Sequence, residues 1–296
     1  MNRIAVIGLG AMGGPMASHL RASGCEVTGI DADERARSRF AGALSPEEAD
    51  LAAAEIILTM LPEGEHVRDA YLKRILPAAQ PGTLLIDSST IDVETARELH
   101  ALAVAQGLAQ IDAPVSGGPE AAGSGGLSFM LGGPAEAVER ARPLLQCLGK
   151  KISHFGAAGA GQAAKACHNM ICGITAMAVF EGFALAESLG LDPARFHALC
   201  AGAAAQSWTL ENRCPVPGVV PQAPASKGYA PGFAARLMAK DLRLAQRAAG
   251  ASGQATPFGA RAAEAFTAFA EQSGGQLDFS SYYSQLRPRP EPEEGN

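Results

Sequence analysis

Along the first half of the chain, hydrophobic positions follow two alternating rhythms. Short β-branched runs at 4–7, 26–30, 55–60, 83–87 and 109–112 each stop at Gly, Pro, Ser or Asp and read as strands. Between them, 14–23, 33–41, 67–78 and 93–106 carry the helical period. Strands separated by helices need crossover connections, which predicts a doubly wound, mostly parallel sheet covered on both faces. Two more strands, 127–131 and 151–155, flank a helix at 135–148. After residue 155 the pattern changes. Gly156, Gly159 and Gly161 punctuate the chain, 162–189 then runs as one long Ala-rich apolar helix, and nothing reads as a strand before about 272. Such a helix must pack on something over much of its surface. The reading is an α/β domain over 1–160, an all-helical domain over 161–287 and a Pro- and Glu-rich tail, 288–296, expected to be disordered. Within the second domain the Pro- and Gly-rich stretch 214–231 reads as a long loop.

Composition narrows the function classes. With 296 residues, the chain is long enough for two domains. A net charge of −6 offers no general attraction to polyanions and argues against a nucleic-acid partner. The apolar run before the first glycine is only four residues long, 4–7, too short for a secretory signal, and no run of about 18 uninterrupted apolar residues occurs. A soluble, cytoplasmic protein without a membrane partner is therefore expected. Six cysteines without any C-x-x-C pair suggest neither a metal site nor a disulfide framework.

The first strand runs directly into Gly8-Leu9-Gly10-Ala11-Met12-Gly13, which opens a helix. In that context Gly8 permits the tight turn, Gly10 the approach of a pyrophosphate and Gly13 close helix–strand packing. The helix N-terminus then presents unpaired N–H groups to the phosphates. Asp31 ends the second strand, where a carboxylate accepts hydrogen bonds from a ribose 2′-hydroxyl and repels a 2′-phosphate. This is a Rossmann-type dinucleotide fingerprint, and it favours NAD over NADP. Arg35 and Arg37 follow closely enough to offset Asp31 in part.

Other strand ends point to the same edge of the sheet. Leu61-Pro62 and Ser88-Ser89-Thr90 follow the third and fourth strands and suit either cofactor contact or turn chemistry, with Ser89 or Thr90 as a helix cap. Asp112-Ala113-Pro114-Val115-Ser116-Gly117-Gly118 leaves the fifth strand and is either a simple loop or a nest of N–H groups for a carboxylate. Only six of the 24 basic residues are lysines. Lys165 and Asn169 share one face of the long apolar helix, beside His168. A lysine buried there loses solvation and becomes usable as an acid or base, whereas one that snorkels to water does not. Lys240-Asp241 by itself reads as an ordinary ion pair.

Together these motifs resemble the β-hydroxyacid dehydrogenase family, over nearly the whole chain to about Leu286. The family's N-terminal signature matches 8–20, its substrate signature 112–118, and its catalytic-helix signature Gly159-Ala160-Gly161 through Lys165 and Asn169. The resemblance implies Lys165 as catalytic acid/base, and Ser116, Gly117, Gly118 and Asn169 on a small carboxylate substrate. It places Leu61, Pro62, Thr90 and Lys240 on the dinucleotide. It also implies a homodimer or homotetramer. Trp208, 214–218, Gly232-Phe233, 238–242 and 278–281 look like members that oxidise 3-hydroxyisobutyrate to methylmalonate semialdehyde with NAD, in valine breakdown. Tartronate semialdehyde, succinic semialdehyde and serine remain as alternative substrates, and a non-catalytic dinucleotide-binding module as a reading of another class. One departure stands beside the site: His168 occupies a position where such enzymes commonly carry Asn.

Overall fold

The computed structural model describes residues 3–273 and 275–287; the tail expected to be disordered lies outside them. The chain divides into two compact units, Met1–Lys165 and Ala166–Asn296. In the first unit, eight strands form one sheet: β1 (Arg3–Ile7), β2 (Glu26–Ile30), β3 (Ile56–Thr59), β4 (Leu84–Asp87), β5 (Ala109–Asp112), β6 (Val115–Ser116), β7 (Leu127–Gly132) and β8 (Gly149–Gly156). Their order is β2-β1-β3-β4-β5-β7-β6, with β8 beside β7. Strands β1 to β5 pair in parallel; β7 runs antiparallel to β5 and β6 and parallel to β8. The order reverses at β1, between β2 and β3, which is where an open α/β sheet binds ligands at its strands' carboxyl ends.

Helices α1 (Gly13–Ala22), α2 (Glu34–Arg37), α3 (Gly64–Ala70), α4 (Leu76–Ala78), α5 (Val93–Ala105), α6 (Gly118–Ser124) and α7 (Ala135–Leu148) belong to this unit. The period of two along β1 shows how both faces are buried. Ile4 and Val6 join the cluster of Met16, Leu20, Leu144 and Leu148, while Ala5 and Ile7 join Val67, Tyr71, Ile75, Leu99 and Ala103. Each fully buried Leu or Ile here contributes about 1.5–3 kcal/mol relative to exposure.

Local pattern and tertiary demand part company at four places. The helix expected over 33–41 is only the four residues of α2, because the chain must return to the sheet edge: the Leu44 N–H donates to the Gly29 carbonyl at 2.9 Å, and the Asp31 N–H to the Leu44 carbonyl at 3.2 Å. The helix expected over 67–78 starts at Gly64 and widens into a π turn at Tyr71–Ile75, just before Pro77, whose ring a regular α-helix accommodates poorly. The segment after Pro114 adds a strand, β6, and a helix, α6, where a loop was expected. Finally, α5 is capped by Asp92, whose carboxylate accepts the Thr95 N–H at 2.8 Å, and not by Ser89 or Thr90.

Helix α8 (Ala160–Ser188) starts in the first unit and continues in the second, which adds α9 (Pro193–Cys200), α10 (Trp208–Asn212), α11 (Ala235–Ser252) and α12 (Pro257–Ser273). Phe180, Phe183, Met238, Leu242, Phe266 and Phe279 form its core. Gly173 lets α8 approach α11, since a Cβ there would lie 2.7 Å from the Leu242 side chain. The stretch 214–231 is mainly loop, with one 3-10 turn at Pro224–Lys227 and the Tyr229 hydroxyl donating to the Pro215 carbonyl at 2.8 Å. By length and composition alone, α8 is apolar enough to cross a membrane.

Asp87 ends β4 in full burial, its Oδ1 accepting from the Thr59 hydroxyl at 2.7 Å and the Ser89 N–H at 3.2 Å. Burial pushes its pKa up to about 6, against the opposing pull of those hydrogen bonds. An unfolded Asp titrates near 3.9, so between about pH 4 and pH 6 the folded state binds more protons and stability falls as pH rises. Asp87→Asn keeps a carbonyl acceptor without the charge. It is expected to stabilise the protein by on the order of 2–3 kcal/mol at pH 7–8, with the gain vanishing near pH 4. Denaturant titrations across this range check it; a gain independent of pH would contradict the assignment.

Candidate active site and cofactor cradle

The glycine turn sits at the carboxyl end of β1. Gly8 has a φ of +98° and a Cβ there would overlap the Met60 carbonyl; a Cβ on Gly13 would overlap the Gly8 carbonyl. Side chains are thus excluded where α1 meets the sheet. Around Gly10, by contrast, no atom lies within 4 Å of the position a Cβ would take. The backbone at Gly10 and Ala11 is exposed and borders open space just before α1, and the donor chemistry fits a pyrophosphate. Asp31 lies half-buried beside it, its Oδ2 accepting the Leu9 N–H at 2.6 Å and its Oδ1 the Asp33 N–H at 2.8 Å. Its carboxylate keeps lone pairs for ribose hydroxyls. The expected offset by arginine takes another form: the Arg37 guanidinium donates to the main-chain carbonyls of Asp31 and Ala32, at 2.9 and 2.8 Å.

At the ends of β3 and β4, the Leu61 N–H donates to the Ser89 hydroxyl at 2.9 Å. This bond ties together the two turns that carry Leu61-Pro62 and Thr90. Pro62 is exposed, and Leu61 and Thr90 are half-buried.

Beyond β5, Ser116 of β6 pairs with Ser128 of β7, and Gly117 and Gly118 follow at φ +139° and +74° to open α6. Ser116 is half-buried and Gly117 exposed. Asp112 is buried, and its carboxylate accepts the Gly159 N–H at 2.7 Å and the Gln162 N–H at 2.8 Å. Burial raises its pKa, and these N–H groups hold it down. Lys165 follows one turn into α8 and is 7% exposed. It does not snorkel into water.

In the second unit, Asn169 is 3% exposed, and its Nδ2 donates to Asp241 Oδ2 at 2.5 Å. His168 Nδ1 lies 2.8 Å from Asn169 Oδ1. With the amide nitrogen on the carboxylate, Asn169 Oδ1 is the acceptor and His168 Nδ1 carries the hydrogen. Lys240 Nζ is 3.3 Å from Asp241 Oδ1, with side-chain exposures of 13% and 6%. The pair is thus part of a buried group, where an exposed ion pair was the simplest expectation. Among the described residues no cluster of His, Cys, Asp and Glu suits a metal ion.

Residues 3–156 match the NAD-binding domain of 6-phosphogluconate dehydrogenase, and 159–286 match the family described as NAD-binding of NADP-dependent 3-hydroxyisobutyrate dehydrogenase. The 3-hydroxyisobutyrate dehydrogenase of Pseudomonas aeruginosa is 46% identical over 297 residues, covering 97% of this chain and 99% of that protein. The chain belongs to the 3-hydroxyisobutyrate dehydrogenase family. This family of oxidoreductases accounts for the fold, and NAD for the cradle at β1. The solved Mycobacterium tuberculosis 3-hydroxyisobutyrate dehydrogenase, recorded with L-serine, matches with a TM-score of 0.90 and 46% identity, over 97% of this chain and all of that one. A Pseudomonas aeruginosa NAD-dependent L-serine dehydrogenase is 42% identical, covering 95% of this chain and 96% of that protein. The apolar α8 falls within the second matched region, 159–286.

Two buried groups at the site carry no role in the sequence reading: Gln162, and Asp241 as the partner of Asn169. A lone Gln at the start of an otherwise Ala-rich, apolar helical stretch was the signal for Gln162. For Asp241, no local spacing reveals a partner 72 residues away.

The two glycines separate by outcome. Gly10→Ala is expected to leave the melting temperature within about 2 °C of the parent, because its Cβ meets nothing, yet to weaken NAD binding at least roughly tenfold by crowding the phosphates. Gly13→Ala overlaps main chain and is expected to lower the melting temperature. Calorimetry and thermal melts check both; NAD affinity unchanged in Gly10→Ala would contradict the cradle.

Proposed function

We propose that the protein oxidises 3-hydroxyisobutyrate to methylmalonate semialdehyde with NAD, using Lys165 as the proton carrier. The observation that carries this reading is the near-complete burial of Lys165 one turn into the helix that starts against Asp112. NAD, when bound, supplies the hydride acceptor. Leu9 to Gly13, Asp31, Leu61, Pro62, Thr90 and Lys240 hold it. Ser116, Gly117 and Gly118 receive the substrate carboxylate through the Ser116 hydroxyl and consecutive N–H groups. Lys165 Nζ takes the hydroxyl proton as the alcohol is oxidised and returns it in the reverse direction. Asn169 donates its second amide hydrogen to a substrate oxygen, its orientation set by Asp241.

L-Serine is the second reading. It too is a β-hydroxy acid, and two relatives above 40% identity carry it in their descriptions. Its ammonium group asks for an acceptor that 3-hydroxyisobutyrate does not need, so the two substrates report on different parts of the site.

The same proposal includes assembly as a homodimer or homotetramer, supported by exposed apolar side chains at Ile171 and Leu185 of α8 and at Leu189 just beyond it, 64%, 61% and 67% exposed.

Lys165→Ala is expected to lower kcat by roughly 10²–10⁴-fold while NAD affinity, measured by calorimetry, stays near that of the parent. Unchanged turnover would remove Lys165 from the chemistry. With NAD and NADP run in parallel, kcat/KM should be highest for NAD with 3-hydroxyisobutyrate. A higher value for L-serine would move the assignment to the second reading.

A further inference from the structure

We infer that Asp112 and Gln162 act together as a positioning clamp, fixing the first turn of α8, and so Lys165, against both binding turns of the first unit. The inference rests on the reading of Lys165 as proton carrier.

Both side chains are 1% exposed. The Asp112 carboxylate takes the Gly159 and Gln162 N–H groups, one on each oxygen. The Gln162 amide takes the end of β4: its Nε2 donates to the Ser89 carbonyl at 2.8 Å, and its Oε1 accepts the Ile91 N–H at 3.2 Å. Four hydrogen bonds therefore converge on one helical turn from two strand ends. Helix starts ordinarily leave their N–H groups to water or to a local cap. Here the cap comes from a residue 47 positions earlier. The approach is kept clear by glycine: a Cβ on Gly132 would lie 2.7 Å from the Ala160 and Gly161 nitrogens.

What the clamp joins explains its use. Downstream of Asp112 the main chain runs straight into Ser116-Gly117-Gly118, the candidate carboxylate site. Ser89 and Ile91 flank Thr90, and Ser89 also holds Leu61 through its hydroxyl, so the cofactor turns hang on the same bonds. Lys165 is three residues beyond Gln162, on the same side of the helix. A capping function alone would be met by a local Ser, Thr or Asp, without placing a carboxylate in burial. Two directional side chains reaching different loops are needed only if the helix start must be held in register with both. Misplacement of a reacting group by about 1 Å costs roughly 10²-fold in rate, which sets the expected scale.

Gln162→Met keeps length and removes both bonds to the β4 turn; Asp112→Asn keeps shape and replaces one acceptor oxygen by a donor. Parent, both variants and Lys165→Ala are compared for kcat and KM per folded molecule, for NAD affinity by calorimetry and for melting temperature. Gln162→Met is expected to lower kcat roughly 10–100-fold and to weaken NAD binding several-fold. Asp112→Asn is expected to lower kcat by a similar factor with NAD affinity near that of the parent. If Asp112→Asn does not fold, Gln162→Met decides alone. A lower melting temperature with kcat and NAD affinity unchanged per folded molecule would make both residues merely structural and overturn the clamp. An active Lys165→Ala variant would instead overturn the role of Lys165, an outcome the comparison keeps apart.

Discussion

The Asp112 carboxylate accepts two main-chain N–H groups from the start of α8, and much of the first unit is arranged so that it does. A buried carboxylate is costly unless each oxygen is met by a donor, and a helix start is costly unless its N–H groups are met by acceptors. Each requirement answers the other. The solution needs β5 to end facing the first turn of α8, which in turn needs β7 to run antiparallel beside it, with Gly132 opposite Asp112. The reversal of direction at β7, in an otherwise mostly parallel sheet, belongs to that arrangement.

The glycine turn obeys a different constraint. There the sheet order reverses, and α1 must start so close to β1 and β3 that no side chain fits at Gly8 or Gly13. The result is a helix start that borders open space at Gly10. One sheet edge therefore carries two helix starts with opposite treatment: that of α1 borders open space, and that of α8 is closed by the protein's own carboxylate. A dinucleotide phosphate and Asp112 are the same kind of partner for an N-terminal turn, one brought by the ligand and one supplied by the fold.

Features written in consecutive residues were legible before the structure. The glycine fingerprint and Asp31 depend on a strand, a turn and a helix adjacent in the chain, and the strands themselves show as short β-branched runs. The partition between α/β and all-helical halves was legible for the same reason. Residues joined across long separations were not. Nothing near Gln162 indicates that its amide will meet Ser89 and Ile91, and the Asn169–Asp241 bond spans two helices. Sites also misread were those where two local rules compete. Ser89, Thr90 and Asp92 are all good caps by type; the structure spends Ser89 on Leu61 and leaves the cap to Asp92. The lysine question could not be closed by spacing, because burial of Lys165 depends on what packs over the helix and not on the helix itself.

The central claim is that the first turn of α8 is a fixed part of the sheet's carboxyl edge. Native-state amide hydrogen exchange at Gly159 and Gln162 tests it most directly. The account predicts that both amides, each bonded to Asp112, exchange as slowly as the amides in the middle of β4 and β5. Exchange at the fast rate of a frayed helix start would contradict it.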